Sequence, residues 1–194
     1  LHDKKIDIKN VSQAIENKIA FIPEDRHEEG LILAMSMKDN ITLPVLKRIL
    51  TPFRFINRRE VDRAAEDYVE KLSIRPSQID KLAQNFSGGN QQKIAVAKWL
   101  ISKPDILIID EILSVGDVKF QKKSNDKIKS LMGSGTTVLL VSHSIQQIRN
   151  LCDKALWINK GKVVAFDEVN KVCDAYLKAA ENASKDQLKI IKLE

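Results

Sequence analysis

One continuous apolar run, Ile106-Leu107-Ile108-Ile109, constrains the fold of this chain more than any other feature of its sequence. Pro104 precedes the run, and Asp110 and Glu111 follow it. A strand without polar positions is buried on both faces, which is typical of parallel sheets covered by helices. Apolar runs at residues 19–22 and 137–141 predict two further strands, and helical patterns separate the three. The sequence therefore predicts an α/β fold with a mostly parallel sheet.

The long segment between the first two of these strands is predicted to form an inserted helical lobe. Asn57 and Glu60 have the spacing of a capping box, and apolar residues at intervals of three and four follow as far as Leu72. Another helix is predicted to start near Gly89 and to end at Ser102.

The two ends of the chain have weaker patterns. Ile6 and Ile8 alternate with polar neighbours and predict a short strand. The last helix is predicted to end near Ala180, and residues 182–194 are predicted to form a frayed polar tail.

Composition excludes several classes of protein. Two cysteines, neither in a C-x-x-C pair, cannot make a disulfide framework, so a reducing compartment is expected. No stretch approaches the roughly 20 apolar residues that span a bilayer. The net charge of +6 is spread over scattered basic pairs, mostly with acidic residues nearby, which favours a solvated surface over a nucleic-acid groove.

A glycine turn at the start of a predicted helix is the first candidate for chemistry. Ser87-Gly88-Gly89 precedes Asn90, and only seven glycines occur in the whole chain. Backbone without Cβ atoms can approach a ligand closely, and the amides of a helix N-terminus favour a phosphate. A plain N-cap with a flexible turn explains the same residues about as well.

Two further candidates follow the predicted strands. Asp110 at a strand tip could bind Mg²⁺, and Glu111 beside it could act as a general base on water. His143, beyond the strand at residues 137–141, could donate a hydrogen bond to a phosphate or order the attacking water. The alternatives are acidic residues that only terminate a strand and a histidine that only begins a helix.

The order and spacing of these motifs resemble the nucleotide-binding domain of ABC (ATP-binding cassette) transporters. Residues 87–91, Ser-Gly-Gly-Asn-Gln, are similar to the signature motif, with Asn90 where the commonest form has Gln. Residues 106–111 resemble Walker B, Asp117 lies at the D-loop position, and His143 lies at the switch histidine. The resemblance implies a P-loop NTPase-like ABC ATPase core with an inserted helical lobe.

The resemblance changes along the chain. Residues 1–111 resemble the second cassette of ribose- and galactose-type sugar importers, with Glu24 near the Q-loop position. Residues 111–181 resemble polysaccharide and teichoic-acid exporter ATPases, with Glu-Ile-Leu-Ser-Val-Gly-Asp at residues 111–117 where the importers would have Glu-Pro-Thr. The chain is interpreted as a composite of two carbohydrate subfamilies.

One motif of the family does not occur in the sequence. Walker A, Gly-x-x-x-x-Gly-Lys-Ser/Thr, holds the β- and γ-phosphates, and the only Gly-Lys pair, Gly161-Lys162, has Leu156 and Val163 at the other required positions. In the family this motif lies upstream of the first segment seen here, so the sequence is interpreted as N-terminally truncated. The chain alone is expected to bind ATP weakly and not to hydrolyse it.

The resemblance also implies an organisation of the chain. Residues 1–30 would belong to the ATPase core and include the Q-loop region, and residues 31–103 would form the helical lobe, ending in the signature helix. Residues 104–181 would complete the core with Walker B, the D-loop and the switch histidine, and residues 182–194 would be the polar tail.

By the same resemblance, ATP and Mg²⁺ would be the cofactors. Asp110 would bind the metal, Glu111 and His143 would be catalytic, and Ser87, Gly88, Gly89 and Asn90 would contact nucleotide held by a second nucleotide-binding domain. The helical lobe would dock on membrane permease subunits at the cytoplasmic face of the membrane, and no nucleic acid is expected as a partner.

Sugar import is the function favoured, because the coupling lobe belongs to the importer-like half. The alternatives are a polysaccharide or teichoic-acid export ATPase, a non-catalytic cassette remnant that serves as an interaction module, and a soluble ABC-type ATPase.

Overall fold

The structure, a computed structural model, describes residues 6–110, 126, 128–130, 132–133 and 135–191. The chain forms two compact units, Leu1–Val141 and Ser142–Glu194.

The first unit contains a parallel sheet and the helices around it. The three strands of this sheet are β1 (Ile19–Ile22), β2 (Ile106–Asp110) and β3 (Thr137–Val141). The α-helices of this unit include α1 (Val11–Glu16), α2 (Met37–Thr42), α3 (Arg58–Lys71) and α4 (Gly88–Leu100). Shorter helical turns are Arg26–Gly30 (π), Leu43–Arg48 and Ala83–Asn85 (both 3-10), and the described residues between 126 and 133 are helical.

Strand β2 lies in the middle of the sheet, in the order β1-β2-β3, with both neighbours parallel to it. Ile109 of β2 is in register with Ile22 of β1 on one side and with Leu140 of β3 on the other. Leu107 and Ile109 are completely buried, and Ile106 and Ile108 are half-buried. The apolar run thus forms the central strand of a parallel sheet, as the sequence predicts.

Helix α4 connects the sheet to the helical lobe. It contacts β1 on one side and α2 on the other, and α2 also packs against α3. Ile94, Ala95 and Ala97 of α4 are completely buried. The predicted helix therefore exists, and it begins at Gly88, one residue before its predicted start.

The second unit consists of two helices and a two-stranded antiparallel sheet. They are α5 (Ile145–Leu151), β4 (Lys154–Asn159), β5 (Lys162–Glu168) and α6 (Val169–Ile191). Trp157 of β4 and Tyr176 of α6 stack edge to face, with ring centroids 5.5 Å apart. None of the helices in the described part of the chain combines the length and the apolar character needed to cross a membrane.

Two sequence predictions at the chain ends differ from the structure. Residues 6–9 form no strand, because Asn10 caps α1 instead and Lys9 donates its backbone N–H to Gln13 Oε1. Helix α6 continues to Ile191, beyond its predicted end near Ala180. No glycine or proline interrupts residues 169–191, and good helix formers such as Ala, Lys and Leu favour continuation.

Candidate functional site

The start of α4 forms a turn that exposes backbone amides. Ser87 is exposed and extended, with φ −62° and ψ 154°, and its carbonyl accepts hydrogen bonds from the amides of Asn90 and Gln91, both at 2.9 Å. Gly88 and Gly89 are the first two helical residues, so their N–H groups have no partner within the helix. The positive end of the helix dipole lies at the same place. This arrangement favours an anionic oxygen.

Gly89 has no neighbour that requires it to be glycine. A Cβ atom built on it meets no atom within 4 Å, and its φ is not positive. Chain packing and backbone conformation therefore do not account for the missing side chain at this position. The backbone at this turn therefore has room for a ligand to approach closely.

The side chain of Asn90 orients the serine hydroxyl. Its Nδ2 donates to Ser87 Oγ at 3.0 Å, and its Oδ1 accepts from the backbone N–H of Arg75 at 2.9 Å. Because Ser87 Oγ accepts this hydrogen bond, its own proton is available to donate in another direction. Asn90, predicted as a nucleotide contact, thus has two partners within the chain.

Two side-chain hydrogen bonds fix the beginning of α4. Gln91 Nε2 donates to the carbonyl of Ala83 at 3.1 Å, and Lys93 Nζ donates to the carbonyl of Ser73 at 2.9 Å. These bonds tie the first two turns of the helix to the segments before it. The glycine turn is therefore held by a preorganised frame.

Lys98 is a residue of this helix that sequence reasoning missed. Its side chain is buried, with 7% of the residue exposed, and its Nζ donates to the carbonyl of Gly30 at 2.9 Å. Burial lowers the pKa of Lys98. A lysine inside the apolar sequence Ala95-Val96-Ala97-Lys98-Trp99-Leu100 is the signal that could have revealed it.

A second set of predicted residues follows the parallel strands. Asp110 is the last residue of β2 and is half-buried, and Glu24 is exposed, two residues beyond the end of β1. Since β1 and β2 are parallel neighbours, both carboxylates lie toward the carboxyl edge of the sheet, where open α/β sheets bind ligands. The glycine turn and this sheet edge are two separate groups of residues.

The other predicted site residues lie outside the described residues or in the second unit. Glu111 and Asp117 lie outside the described residues. His143 is exposed and lies in the second unit, one residue before Ser144, which caps α5 by accepting from the amide of Gln147. Ser142 Oγ accepts from the amide of Ser144 at 3.0 Å, so the backbone beside His143 is ordered by side-chain hydrogen bonds.

The fold matches solved ATP-binding cassettes. A dimeric post-hydrolysis structure of the cassette MJ0796 with ADP and Pi aligns with a TM-score of 0.69 and 22% identity, covering 81% of this chain and 66% of that one. A second dimeric structure of MJ0796, described as a bacterial ABC transporter cassette, aligns with a TM-score of 0.67. The fold is that of an ABC ATPase cassette, an α/β domain with a parallel sheet.

The sequence comparisons give the family. The profile of the ABC transporter family matches residues 1–114, more than half of the chain, and the chain belongs to this family. A ribose import ATP-binding protein, RbsA, of Clostridium tetani is 36% identical over 163 residues, and a xylose import ATP-binding protein, XylG, of Thermoanaerobacter pseudethanolicus is 38% identical over 163 residues. Each alignment covers 84% of this chain, which spans 32% of the length of each relative.

These relatives confirm the resemblance to sugar importers. The alignments with these importers cover 163 residues and therefore continue past residue 111, where the resemblance is predicted to change. The exporter-like character of residues 111–181 stays a prediction.

Proposed function

We propose that this chain is the ATP-binding and hydrolysing subunit of a sugar-importing ABC transporter. The glycine turn at the start of α4 is the observation on which this proposal depends, because it combines open backbone, a helix N-terminus and an oriented hydroxyl. The RbsA and XylG relatives support sugar as the cargo class. Sugar import is favoured over polysaccharide export because both relatives are import proteins.

In this proposal Ser87, Gly88 and Gly89 contact the phosphates of ATP held by a second cassette. Amides and a hydroxyl fixed before the nucleotide arrives stabilise the charge that develops during phosphoryl transfer. Asn90 acts mainly by orienting Ser87. The dimeric state of MJ0796 is consistent with a cassette pair.

The carboxylate of Asp110 fits a role in Mg²⁺ binding. Mg²⁺ prefers oxygen ligands and is commonly held by one or two carboxylates together with substrate phosphates. Within the described residues no group of three or more His, Cys, Asp or Glu side chains is arranged to hold a metal. Asp110 would share the ion with phosphate oxygens, and the ion would neutralise charge on them. Glu111 would accept the proton of the attacking water, His143 would stabilise the transferred phosphoryl group, and Glu24 and Asp117 would line the Q-loop and D-loop.

The proposed subunit works at the cytoplasmic face of the membrane, through permease subunits that contact the helical lobe. The 194 residues alone would bind ATP weakly and not hydrolyse it, because they contain no Walker A motif.

A matched pair of glycine substitutions tests the proposal. Gly89→Ala adds a methyl group where the chain itself has room, so folding should be unaffected, but the methyl group would separate a phosphate from the amides. In cells that encode the chain, we expect ribose and xylose uptake to fall by about 100-fold, as for loss of one preorganised donor. The melting temperature of the purified variant should not fall.

Gly133→Ala is the control, because Gly133 is exposed and its added Cβ also meets no atom within 4 Å. This variant should transport both sugars normally. Normal uptake with Gly89→Ala, or equal losses in the two variants, would refute the phosphate role of the glycine turn.

A further inference from the structure

The helical lobe contains a turn with exposed aromatic side chains. We define the aromatic turn as residues 49–57, between the 3-10 turn Leu43–Arg48 and α3. Phe53 is 83% exposed, Phe55 is 73% exposed and Ile56 is 53% exposed. Three large apolar side chains are thus exposed within four positions of the sequence. Single exposed apolar residues are ordinary on a protein surface, but a cluster of them marks an interaction site.

Hydrogen bonds hold the aromatic turn in shape. Thr51 N–H donates to the carbonyl of Phe55 at 2.7 Å, and Thr51 Oγ1 accepts from the amide of Phe55 at 3.1 Å. Arg54, at the apex with φ +63°, donates its amide to the carbonyl of Thr51 at 2.8 Å. Leu50 and Ile56 form an antiparallel bridge below the apex. The phenylalanines are therefore presented on a built turn.

Basic residues lie within the turn and on both sides of it in the sequence. Residues 43–59 contain five basic side chains and no acidic one, against a net charge of +6 for the whole chain. All five are on exposed residues, Lys47, Arg48, Arg54, Arg58 and Arg59. Lys47 pairs with Glu16 at 2.9 Å, and Arg48 donates to the carbonyl of Ser102 at 3.3 Å. Two of the basic pairs predicted to be solvated surface, at residues 47–48 and 58–59, flank a segment with exposed aromatic residues.

We infer that the aromatic turn docks on an anionic lipid bilayer. Phenylalanine side chains gain free energy by leaving water for the acyl-chain boundary, and each nearby Lys or Arg adds attraction to anionic headgroups. Charge complementarity favours an anionic bilayer as the occupant, because residues 43–59 carry five exposed basic side chains and no acidic one. The turn would hold the helical lobe against the membrane independently of any nucleotide.

Vesicle sedimentation tests this inference with the purified chain. One set of vesicles contains phosphatidylcholine alone, and the other contains phosphatidylcholine and phosphatidylglycerol in equal parts. We expect binding to the mixed vesicles only, and weaker binding at higher salt, because the Debye length shortens. The double variant Phe53→Ser/Phe55→Ser should partition into the mixed vesicles at least about tenfold less, because it lacks the two aromatic side chains that would enter the bilayer.

Charge is tested separately with Arg58→Ser/Arg59→Ser, which should lose about fivefold for each arginine. Two matched controls should bind like the wild type: Val163→Ser/Val164→Ser removes an exposed apolar pair on β5, and Lys162→Ser/Lys178→Ser removes two exposed cations of the second unit. Melting curves verify that every variant is folded.

Three results would overturn the inference. They are no binding to mixed vesicles, equal binding to both vesicle types, and wild-type binding by the phenylalanine variant. Reduced co-purification of that variant with a membrane subunit, in a chain that ignores lipid, would show a protein groove as the occupant. The assay contains no ATP, so its failure is independent of the glycine substitutions that test the proposed function.

Discussion

At the residue scale, two lysines of the first unit have opposite electrostatic surroundings. Lys98 is buried, and burial lowers its pKa, whereas Lys38 makes ion pairs with Asp62 at 2.8 Å and Asp80 at 2.7 Å. The hydrogen bond that Lys38 donates to Asp62 is the main cause that raises the pKa of Lys38. Both lysines have the same ordinary pKa in the unfolded chain. Their opposite pKa shifts should therefore give opposite dependences of stability on pH.

Lys98→Met should remove a pH dependence of stability. The unfolded chain holds a proton on Lys98 more tightly than the folded chain does, so this residue makes stability rise with pH between its lowered pKa and its ordinary value of 10.5. Chemical denaturation of the wild type and Lys98→Met across alkaline pH should show this rise only in the wild type. Identical pH dependence of the two proteins would contradict the lowered pKa of Lys98.

Lys38→Met should show the opposite sign. The folded chain holds the Lys38 proton more tightly, so its ion pairs stabilise the fold fully below pH 10.5 and lose this effect as pH rises through the raised pKa. The variant should melt at a lower temperature than the wild type at neutral pH. The difference should shrink at strongly alkaline pH, and a constant difference would count against the ion pairs.

At the element scale, a buried asparagine attaches α2 to the chain before it. Asn40 is completely buried, and its Oδ1 accepts from the amide of Ile32 at 2.8 Å. Its Nδ2 donates to the carbonyls of Ile32 and Ser36, both at 3.0 Å. One side chain thus supplies the acceptor for the amide of Ile32 and a second donor to two carbonyls that also accept backbone hydrogen bonds.

Replacing Asn40 by Leu, which has a similar size, should therefore destabilise the protein strongly. Three hydrogen bonds are lost, each worth about 0.5–1.5 kcal/mol, so a loss of about 3 kcal/mol in the free energy of unfolding is expected. Asn10→Ala is the control: Asn10 is an exposed N-cap of α1, and its loss should cost about 1 kcal/mol. Urea denaturation measures both, and equal costs would disprove the role of Asn40.

The elements that the sequence predicts well are those with a strong local period. The apolar run of β2, the stripe and Asn57 cap of α3, and the helix at residues 145–151 all appear in the structure. Ile6 and Ile8 predicted a strand incorrectly, because alternation over so few residues says nothing about a neighbouring strand to pair with. The irregular path from Leu43 to Asn57 depends on side-chain hydrogen bonds such as that of Thr51, which have no periodic signal.

The candidate site is predictable only in part, for a similar reason. Motif order identifies Ser87, Gly88 and Gly89, and the register of the sheet is consistent with Glu24 and Asp110 near one edge. The contacts of Asn90 and Lys98 are long-range, reaching Arg75 and Gly30, and sequence spacing does not specify them. The partners of these two side chains within the chain are known only from the three-dimensional structure.

At the scale of the whole molecule, the purified 194-residue chain should release no phosphate from ATP. No segment of the sequence supplies the amides and lysine that hold the β- and γ-phosphates. Colorimetric phosphate release with Mg²⁺ should match a blank without protein, and Glu111→Gln should leave it unchanged. Turnover that Glu111→Gln abolishes would contradict this expectation.

The position of β2 between β1 and β3 also affects how the protein must be made. Ile22 ends β1, and its partner strand begins at Ile106, so 83 residues separate the two sides of one ladder (106 − 22 − 1 = 83). At a synthesis rate of about 5–20 residues per second, the ribosome needs roughly 4–17 seconds to make that segment. During this interval β1 has no partner strand, and the apolar side chains of Ala20 and Ile22, buried in the folded protein, have no β2 to pack beside. Unpaired strand edges of this kind favour aggregation.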